Sequence, residues 1–302
     1  MVNLWSWTDD GGIGHVGMSH GPMGEMMDLA YADARIDSID TLWRLFGGPQ
    51  LVHTLESWWQ KVPQRTPIPE SRLEVPVALT ECWAAGVTYA LSRDARVEET
   101  QGAQAFYRKV YDAQRPELFF KAPGARVVGH GAEVGLRRDS RWQVPEPELT
   151  LVLDPEGNLF GLTIGNDMSS RDIEGDNLLY LPQAKIFHHS AAIGPSLVLA
   201  DTMASRDLEI RMVIERQGAV LFDGRITTAQ MRRTPEELIR YLRREWPIEG
   251  WTALMTGTAL VPPADVSLDD GDRIAITITG IGTLENRARR IGPTWASVPV
   301  SD

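Results

Sequence analysis

The chain has 302 residues, of which 43% are hydrophobic and 24% are charged, a balance typical of globular proteins and unlike that of disordered chains. It carries 41 acidic and 30 basic side chains, which gives a formal net charge of -11 at pH 7. This excess of negative charge repels phosphate backbones, so the composition argues against nucleic acid as a partner. An anionic substrate would need local cations or a metal ion at its site.

The single cysteine narrows the class of protein further. Cys82 has no second cysteine for an intrachain disulfide, and a cysteine-based zinc site is excluded. Its position in an apolar run indicates a buried structural thiol. No segment approaches the ~20 continuous apolar residues of a membrane-spanning helix, and residues 1–10 do not resemble a signal peptide. We therefore expect a cytoplasmic protein with no membrane partner.

The first part of the chain predicts a small α/β unit. Short strands are expected around the glycine-rich turn 11–14, and a helix is expected from about Gln50 to Gln60. Four prolines between Lys61 and Pro76 interrupt any regular element, as in a linker. The sequence thus predicts a small N-terminal domain over residues 1–70 and a main domain over residues 71–302.

The main domain is predicted to consist mostly of β-strands. A helix is expected near residues 104–113. Further along, residues 208–214 alternate with period two, and Gln217-Gly218 turns them into a second strand at 219–222, which predicts a hairpin. Residues 273–279 alternate in the same way.

The clearest helix is predicted from Pro235 to about Trp246. Thr234 is expected to cap its first turn, proline suits the first helical position, and Glu237 completes a capping box. Apolar side chains then recur along one face of the helix.

An acid-rich hairpin is the most informative feature of the sequence. The β-rich runs 146–154 and 159–167 flank a turn built from proline, glycine and asparagine. If the turn is centred on the Glu156–Gly157 bond, the register of the two strands follows directly. A bulge at Pro147 or Gly161 would shift that register.

This register brings three carboxylates to one face of the hairpin. Glu148 lies opposite Gly165 and Glu146 lies opposite Asp167, and residues two apart on a strand share a face. Carboxylates this close repel each other unless a cation holds them together. Oxygen ligands without histidine or cysteine suit Mg²⁺, with Mn²⁺ or Ca²⁺ as alternatives. If no metal binds there, the alternative interpretation is a solvated acidic loop.

At these residues the sequence resembles the fumarylacetoacetate hydrolase superfamily, over about Leu79 to Arg290. The shared motifs are Pro-Glu-Pro-Glu-Leu (145–149), Asn-Asp-Met-Ser-Ser-Arg-Asp (166–172), Lys185 ahead of Gly194-Pro195, and Thr-Gly-Thr (256–258). The resemblance implies a mostly β (α+β) fold, in which a twisted catalytic domain follows a small N-terminal domain. It also implies that a divalent metal is held by Glu146, Glu148 and Asp167.

A closer resemblance is to the 2-keto-3-deoxy-D-arabonate dehydratase branch. It rests on residues 83–89, 115–121, 128–131, 171–174 and 177–185. The resemblance implies a metal-dependent hydro-lyase that dehydrates a 2-keto-3-deoxy pentonate to a 2,5-dioxo acid semialdehyde through a metal-bound enolate. The expected partner is therefore a small anionic 2-keto acid. Because members of the superfamily commonly form oligomers, the resemblance also implies a homo-oligomer, either a dimer or a tetramer.

The branch resemblance also implies roles for individual side chains. Lys185 and Glu117 are expected to transfer protons, with the assignment of acid and base left open. The alternative for these two residues, and for the substrate-binding residues named next, is a purely structural role or a position on the surface. The expected substrate-binding residues are Thr88, Tyr89, Arg93, Lys121 and Thr258.

Other functions remain possible for the same predicted site. An acylpyruvate or other β-dicarbonyl hydrolase would need a carboxylate–histidine pair to activate water, and the sequence ahead of the metal motif offers no such pair. An oxaloacetate-type decarboxylase would need only the metal-held enolate. A protein that binds a metal or sugar acid without catalysis is the alternative outside enzymes.

His188-His189 depart from the branch, which more often has small or acidic residues there. The departure leaves the stereochemistry of the substrate open. On a strand, two adjacent rings would face opposite sides, so that only one could reach the site.

Overall fold

The computed structural model describes residues 1–89, 110–203 and 207–290. Within these residues the fold is mostly β, as predicted, and the helices are short. None of the helices in these three ranges has the length and apolar character needed to cross a bilayer. The strands are β1 Asn3–Thr8, β2 Gly14–Ser19, β3 Glu25–Asp28, β4 Thr66–Pro67, β5 Glu81–Gly86, β6 Glu117–Pro123, β7 Val127–Val128, β8 Glu133–Gly135, β9 Gln143–Val144, β10 Pro147–Leu153, β11 Leu159–Asp167, β12 Ser169–Ser170, β13 Ala191–Leu199, β14 Glu209–Arg216, β15 Ala219–Thr227, β16 Thr252–Met255, β17 Arg273–Ile278 and β18 Gly282–Arg289. The α-helices are α1 Ile39–Phe46, α2 Leu51–Lys61, α3 Arg171–Asp176, α4 Leu181–Lys185 and α5 Pro235–Leu242.

An 11-stranded sheet forms the larger layer of the fold. Its strand order is β4-β3-β2-β1-β13-β11-β10-β16-β5-β6, with β7 beside β13. The pairs are antiparallel except β16 with β5 and β13 with β7, which are parallel. The N-terminal strands extend this sheet because β1 pairs with β13, placing Asn3 opposite Val198. The division of the chain at residue 70 therefore stays a prediction.

The main core lies between this sheet and a second sheet of five strands, β15-β14-β17-β18-β8. Leu151 and Ile164 of the large sheet and Met212 and Ile276 of the smaller one belong to a single buried cluster. Each buried side chain of this size contributes roughly 1.5–3 kcal/mol relative to its exposed state. This core supports the acid-rich hairpin from beneath, because β10 and β11 supply part of it.

The N-terminal helices pack against the large sheet in a second core cluster. Leu42 of α1 and Leu55 of α2 are fully buried and share a core cluster with Val152 and Trp251 of the main body. Ser38 caps α1 by accepting a hydrogen bond from the Thr41 amide at 3.1 Å. The helix predicted from about Gln50 to Gln60 is confirmed as α2.

The hairpin predicted in the smaller sheet is confirmed as β14 and β15. Gln217 and Gly218 both have positive φ, at 51° and 84°, as a type I′ turn requires. The strand predicted at 273–279 is confirmed as β17.

The predicted start of α5 is confirmed, whereas its end is not. Thr234 accepts a hydrogen bond from the Glu237 amide at 3.2 Å, and the Glu237 carboxylate accepts one from Arg233. The helix ends at Leu242 rather than near Trp246. Trp246 precedes Pro247, and a residue before proline is disfavoured in the helical conformation.

Two further predictions have different outcomes. Cys82 is fully buried, as expected of a structural thiol, and burial raises the pKa of the thiol well above its usual range. Of the helix predicted near residues 104–113, positions 110–112 are helical. Residues 104–109 lie outside the described part of the chain.

Candidate active site

The acid-rich hairpin has the predicted register at its functional end. Glu148 pairs with Gly165, and the same register runs from Pro147 to Val152. One register shift lies between Val152 and Leu153, on the turn side beside Gly161, so the bulge leaves the acidic end undisturbed. The Asp167 amide donates to the Glu146 carbonyl at 3.0 Å, which extends the predicted pairing by one residue.

Three carboxylates converge where β10 begins and β11 ends. Glu146, Glu148 and Asp167 each offer an oxygen, and these oxygens all lie within 4.8 Å of one another. The three residues are 2%, 1% and 1% exposed, so bulk water does not screen their mutual repulsion. An arrangement of this kind is stable only if nearby cations compensate its charge.

Lys185 supplies part of that compensation from the last residue of α4. Its Nζ lies 2.6 Å from Glu146 Oε2 and 3.1 Å from Asp167 Oδ2. It also donates a hydrogen bond of 2.6 Å to Ser169 Oγ. The ammonium therefore sits between two of the three carboxylates.

Two further cations contact the same group of carboxylates. Lys121 Nζ lies 2.5 Å from Asp167 Oδ1. Arg171 Nη2 lies 3.0 Å from Glu146 Oε1, and its Nη1 lies 3.4 Å from Glu174 Oε2. All of these side chains are at most 5% exposed, so their charges interact in a weakly screened environment.

Glu148 is held by a backbone group instead. The Gly257 amide donates to Glu148 Oε2 at 2.6 Å. Gly257 has φ of 90°, and a Cβ at this position would lie 2.1 Å from Thr88 Oγ1. Only glycine lets the chain approach the carboxylate so closely.

The electrostatics of the site show where positive charge is still needed. Burial raises the pKa of Glu148 well above its usual value, and the negative charges of Asp167 and Glu146 raise it further. Burial also lowers the pKa of Lys121, although the neighbouring Asp167 opposes that shift. Among the described residues that form ion pairs or hydrogen bonds around the centre, Glu174 and the three converging carboxylates face three cationic side chains.

This donor set fits a divalent cation. Carboxylate oxygens are the ligands that Mg²⁺, Mn²⁺ and Ca²⁺ prefer, and the three residues present them at close range in a buried position. A second positive charge at this point would relieve the repulsion that raises the pKa of Glu148. The residues that would hold the ion are the three selected from the hairpin register.

A small pocket opens onto these carboxylates and Lys185. Thr258 lines it, together with Arg171, Phe119 and residues 85–87. The pocket is therefore bounded by charged side chains and by the end of β5.

The other predicted substrate contacts have different surroundings. Thr88 is fully buried, and its hydroxyl donates to the Thr256 carbonyl at 2.7 Å, next to Gly257. Tyr89 is 1% exposed and forms a β-bridge with Met231. Burial raises the pKa of the Tyr89 phenol, and the charge of Glu148 adds to the effect. Arg93 lies outside the described residues.

Glu117 lies at the edge of the pocket. It begins β6 and pairs with Gly86 of β5. A Cβ on Gly86 would lie 2.1 Å from Glu117 Oε2, so the carboxylate packs directly against a glycine that lines the pocket. A larger residue at position 86 would displace it.

Ser169 and Arg171 are site residues that the sequence reading did not single out. Ser169 lies on β12, two residues after Asp167, so period-two spacing is the signal that would have found it. Arg171 begins α3, and strand spacing does not extend to it. Gly257 was also missed, although it lies in the Thr-Gly-Thr motif.

The adjacent histidines form a turn after α4 rather than part of a strand. His189 has φ of 51°, and the rings of His188 and His189 stack with centroids 3.9 Å apart. We expected the two histidine rings to face opposite sides of a strand. Because the residues form a turn instead, their rings lie together. The described lining of the pocket is made by other residues.

Comparisons with known proteins agree with this site. The family described as fumarylacetoacetate (FAA) hydrolase C-terminal matches residues 82–289. A probable 2-keto-3-deoxyxylonate dehydratase of Haloferax volcanii is 47% identical over 213 residues, which cover 70% of this chain and 73% of the relative. A 2-dehydro-3-deoxy-D-arabinonate dehydratase of Saccharolobus solfataricus is 44% identical over 230 residues, covering 75% and 77%.

A similar solved structure is described as 2-keto-3-deoxy-D-arabinonate dehydratase complexed with magnesium and 2,5-dioxopentanoate. It superposes with a TM-score of 0.74 at 36% identity and covers 96% of this chain and 99% of that one. The chain belongs to the fumarylacetoacetate hydrolase family. Within the family, these relatives are dehydratases of 2-keto-3-deoxy sugar acids by name.

Proposed function

We propose that this chain is a divalent-metal-dependent dehydratase that converts a 2-keto-3-deoxy pentonate into a 2,5-dioxo acid semialdehyde. The chain is a carbon–oxygen lyase of the hydro-lyase class. The observation that carries the proposal is the convergence of three buried carboxylates with the Lys185 ammonium at the base of a pocket. The names of the relatives supply the substrate class.

Glu146, Glu148 and Asp167 would hold the metal, which we propose to be Mg²⁺, as in the solved relative. When bound, the ion supplies Lewis-acid polarisation of the 2-keto group and positive charge for the substrate carboxylate. Since the protein surface is negatively charged overall, attraction of the anionic substrate has to come from such local charge.

The reaction removes a proton from C3 and the hydroxyl group from C4, and the two leave as water. Lys185 and Glu117 are the proposed proton-transfer residues. Lys185 Nζ contacts Glu146 and Asp167, so its ammonium can also stabilise negative charge that develops on the substrate oxygen. Glu117 lies on β6 of the same sheet, where it packs against Gly86 of the pocket lining. A proton then leaves C5 and another is added at C3, which moves the double bond from C3–C4 to C4–C5. The resulting enol transfers its hydroxyl proton to C4 and becomes the aldehyde.

Among the predicted substrate-binding residues that the structure describes, Thr258 is the proposed direct substrate contact, because it lines the pocket. Thr88 and Tyr89 are proposed to act one layer deeper, through the Thr256–Gly257 segment and the neighbourhood of Glu148. The role of Arg93 stays a prediction from the sequence, as do the cytoplasmic location and the homo-oligomeric state.

The test is a substrate panel run on metal-stripped protein. Protein treated with EDTA is reloaded with Mg²⁺, Mn²⁺ or Ca²⁺ and assayed on D- and L-2-keto-3-deoxypentonate, an acylpyruvate and oxaloacetate. The proposal expects metal-dependent release of a semialdehyde from one pentonate form. Turnover of only the acylpyruvate or oxaloacetate would instead support the hydrolase or decarboxylase. If no compound reacts with any metal, the catalytic proposal is wrong and a binding protein remains.

A further inference from the structure

Lys121 is a buried cation that is enclosed by oxygen atoms of the protein itself. The residue is 0% exposed. Its Nζ donates to the Met168 carbonyl at 2.9 Å and to the Lys185 carbonyl, and it lies 2.5 Å from Asp167 Oδ1. Two carbonyl oxygens and one carboxylate oxygen of the protein therefore surround the ammonium group.

The position of Lys121 relative to the pocket is consistent with this enclosure. Among the described residues that line the pocket, β6 contributes Phe119 rather than Lys121. Asp167 lies between the two, since it lines the pocket and also contacts the Lys121 ammonium. A substrate carboxylate could reach Lys121 only by displacing one of its internal partners.

A β-bulge places the side chain there. Cys82 pairs with Ala122 and Trp83 pairs with Phe120, so Lys121 is the extra residue of β6 at the register shift with β5. Bulges re-aim side chains and are frequent beside active sites. The register shift thus directs a lysine of β6 toward the end of α4.

The contact with Lys185 falls at a weak point of the fold. α4 has five residues, Leu181–Lys185, and a helix this short is not stable by itself. The carbonyls of its last turn lack partners within the helix, and a cation at a helix C-terminus satisfies them and complements the helix dipole. Lys121 therefore caps α4 through the backbone of the residue whose side chain enters the site.

We infer that Lys121 is a positioning residue that fixes Asp167 and the C-terminal end of α4, and with it the Lys185 ammonium, and that it does not contact the substrate. The catalytic importance of this positioning rests on the proposed function. The claim that Lys121 holds Asp167 and the end of α4 in place does not depend on that function. It reassigns Lys121, which the sequence reading placed among the substrate-binding residues.

Two substitutions separate positioning from substrate binding. Lys121→Met removes the three donors and keeps the length of the side chain, whereas Lys185→Met removes the ammonium in the pocket and leaves the Lys185 carbonyl in place. Hydrogen exchange is measured over residues 181–190, and kcat and KM are measured on the substrate identified by the panel. We expect Lys121→Met to accelerate exchange in this segment, whereas Lys185→Met leaves it protected as in the wild type.

The kinetic effects should differ from those of a substrate ligand. A displacement of about 1 Å in a catalytic group lowers turnover roughly 100-fold, so Lys121→Met is expected to reduce kcat by about that factor and to change KM by less than about threefold. Unchanged exchange together with a KM raised tenfold or more and a retained kcat would overturn the inference and return Lys121 to the substrate site.

Lys121→Arg keeps the inference testable if Lys121→Met does not fold. The guanidinium retains the positive charge beside Asp167, but its planar donors cannot reproduce three converging ammonium bonds. We expect faster exchange over residues 181–190 with KM preserved, and wild-type exchange in this variant would contradict the inference. If the wild type acts on none of the panel compounds, the proposed function fails, whereas the exchange contrast still decides the capping role.

Discussion

At the scale of single residues, the three carboxylates of the centre differ in how they are compensated. Glu146 and Asp167 contact lysine or arginine side chains, whereas Glu148 accepts a hydrogen bond from the Gly257 amide. Glu148 is therefore the ligand for which a bound metal would matter most. Its raised pKa has the same origin, because burial and two neighbouring negative charges disfavour its ionised form.

Glu148→Gln should abolish tight metal binding. Replacement of residues that merely support metal ligands lowers affinity 10–100-fold, so loss of a ligand should lower it by more than about 100-fold. Calorimetric titration with Mn²⁺ measures the change. Glu156→Gln, an exposed carboxylate in the turn of the same hairpin, is the matched control and should bind like the wild type. Equal affinities for the two variants would remove Glu148 from the metal site.

Metal binding should weaken as the pH falls. The pKa of Glu148 is raised, so its carboxyl group holds a proton at a higher pH than an ordinary glutamate does. The metal must displace that proton to bind. Titrations between about pH 5 and about pH 8 should show rising affinity with rising pH, with a proton released on binding. A pH-independent affinity over this range would contradict the assignment.

Lys185→Met should separate catalysis from metal binding. Loss of a proton-transfer or charge-stabilising group lowers turnover by about 10²–10⁴-fold. The metal should bind at least as tightly as in the wild type, because the substitution removes a cation located between two carboxylates. Parallel kinetics and titrations check both effects, with the exposed Lys61→Met as control. Weakened metal binding together with normal turnover in Lys185→Met would contradict the proposed role of Lys185.

At the scale of elements, the hairpin was predictable and the arrangement around it was not. The register of β10 and β11 follows from local rules, namely period-two alternation and turn residues, and the bulge falls on the turn side. The prediction for α5 extended the helix to about Trp246, directly before Pro247, whereas the helix ends at Leu242. These elements depend on neighbouring residues, and local sequence is informative for them.

The cationic side of the site depends on the long-range path of the chain. Lys185 reaches the carboxylates only because α3 and α4 fold back over the end of β11, and Lys121 does so through a bulge in β6. Neither event has a local signal of its own. The family resemblance supplied Lys185 and Glu117, whereas Arg171 and Ser169 became visible only when the chain following Asp167 was traced.

The turn that carries Gly257 should be intolerant of a side chain. Gly257→Ala adds a Cβ 2.1 Å from Thr88 Oγ1 at a residue with φ of 90°, so the turn must move and the hydrogen bond to Glu148 is lost. Gly271→Ala is the matched control, since Gly271 has φ of 88° and open space around it. Both carry strain of about 1–3 kcal/mol, and Gly257→Ala should lose more stability in urea unfolding and also bind metal more weakly. Identical losses of stability and unchanged metal affinity would contradict this account.

At the scale of the whole molecule, the site is assembled from strands that are distant in sequence. The three carboxylates lie at the ends of β10 and β11, Gly86 lies on β5 and Glu117 on β6, and β16 separates β10 from β5 in the sheet. The core between the two sheets holds β10 and β11 in place from below. This rigidity keeps like charges together before a metal binds, which is the form of preorganisation that a metal-dependent enzyme needs.

The most direct measurement of the central claim is anomalous diffraction from crystals of the protein grown with Mn²⁺. The account predicts one strong anomalous peak within about 2.0–2.6 Å of oxygens from Glu146, Glu148 and Asp167. The peak should disappear in the Glu148→Gln variant or weaken strongly. A peak elsewhere in the molecule, or none at this position under saturating Mn²⁺, would contradict the claim that these three carboxylates form the metal centre.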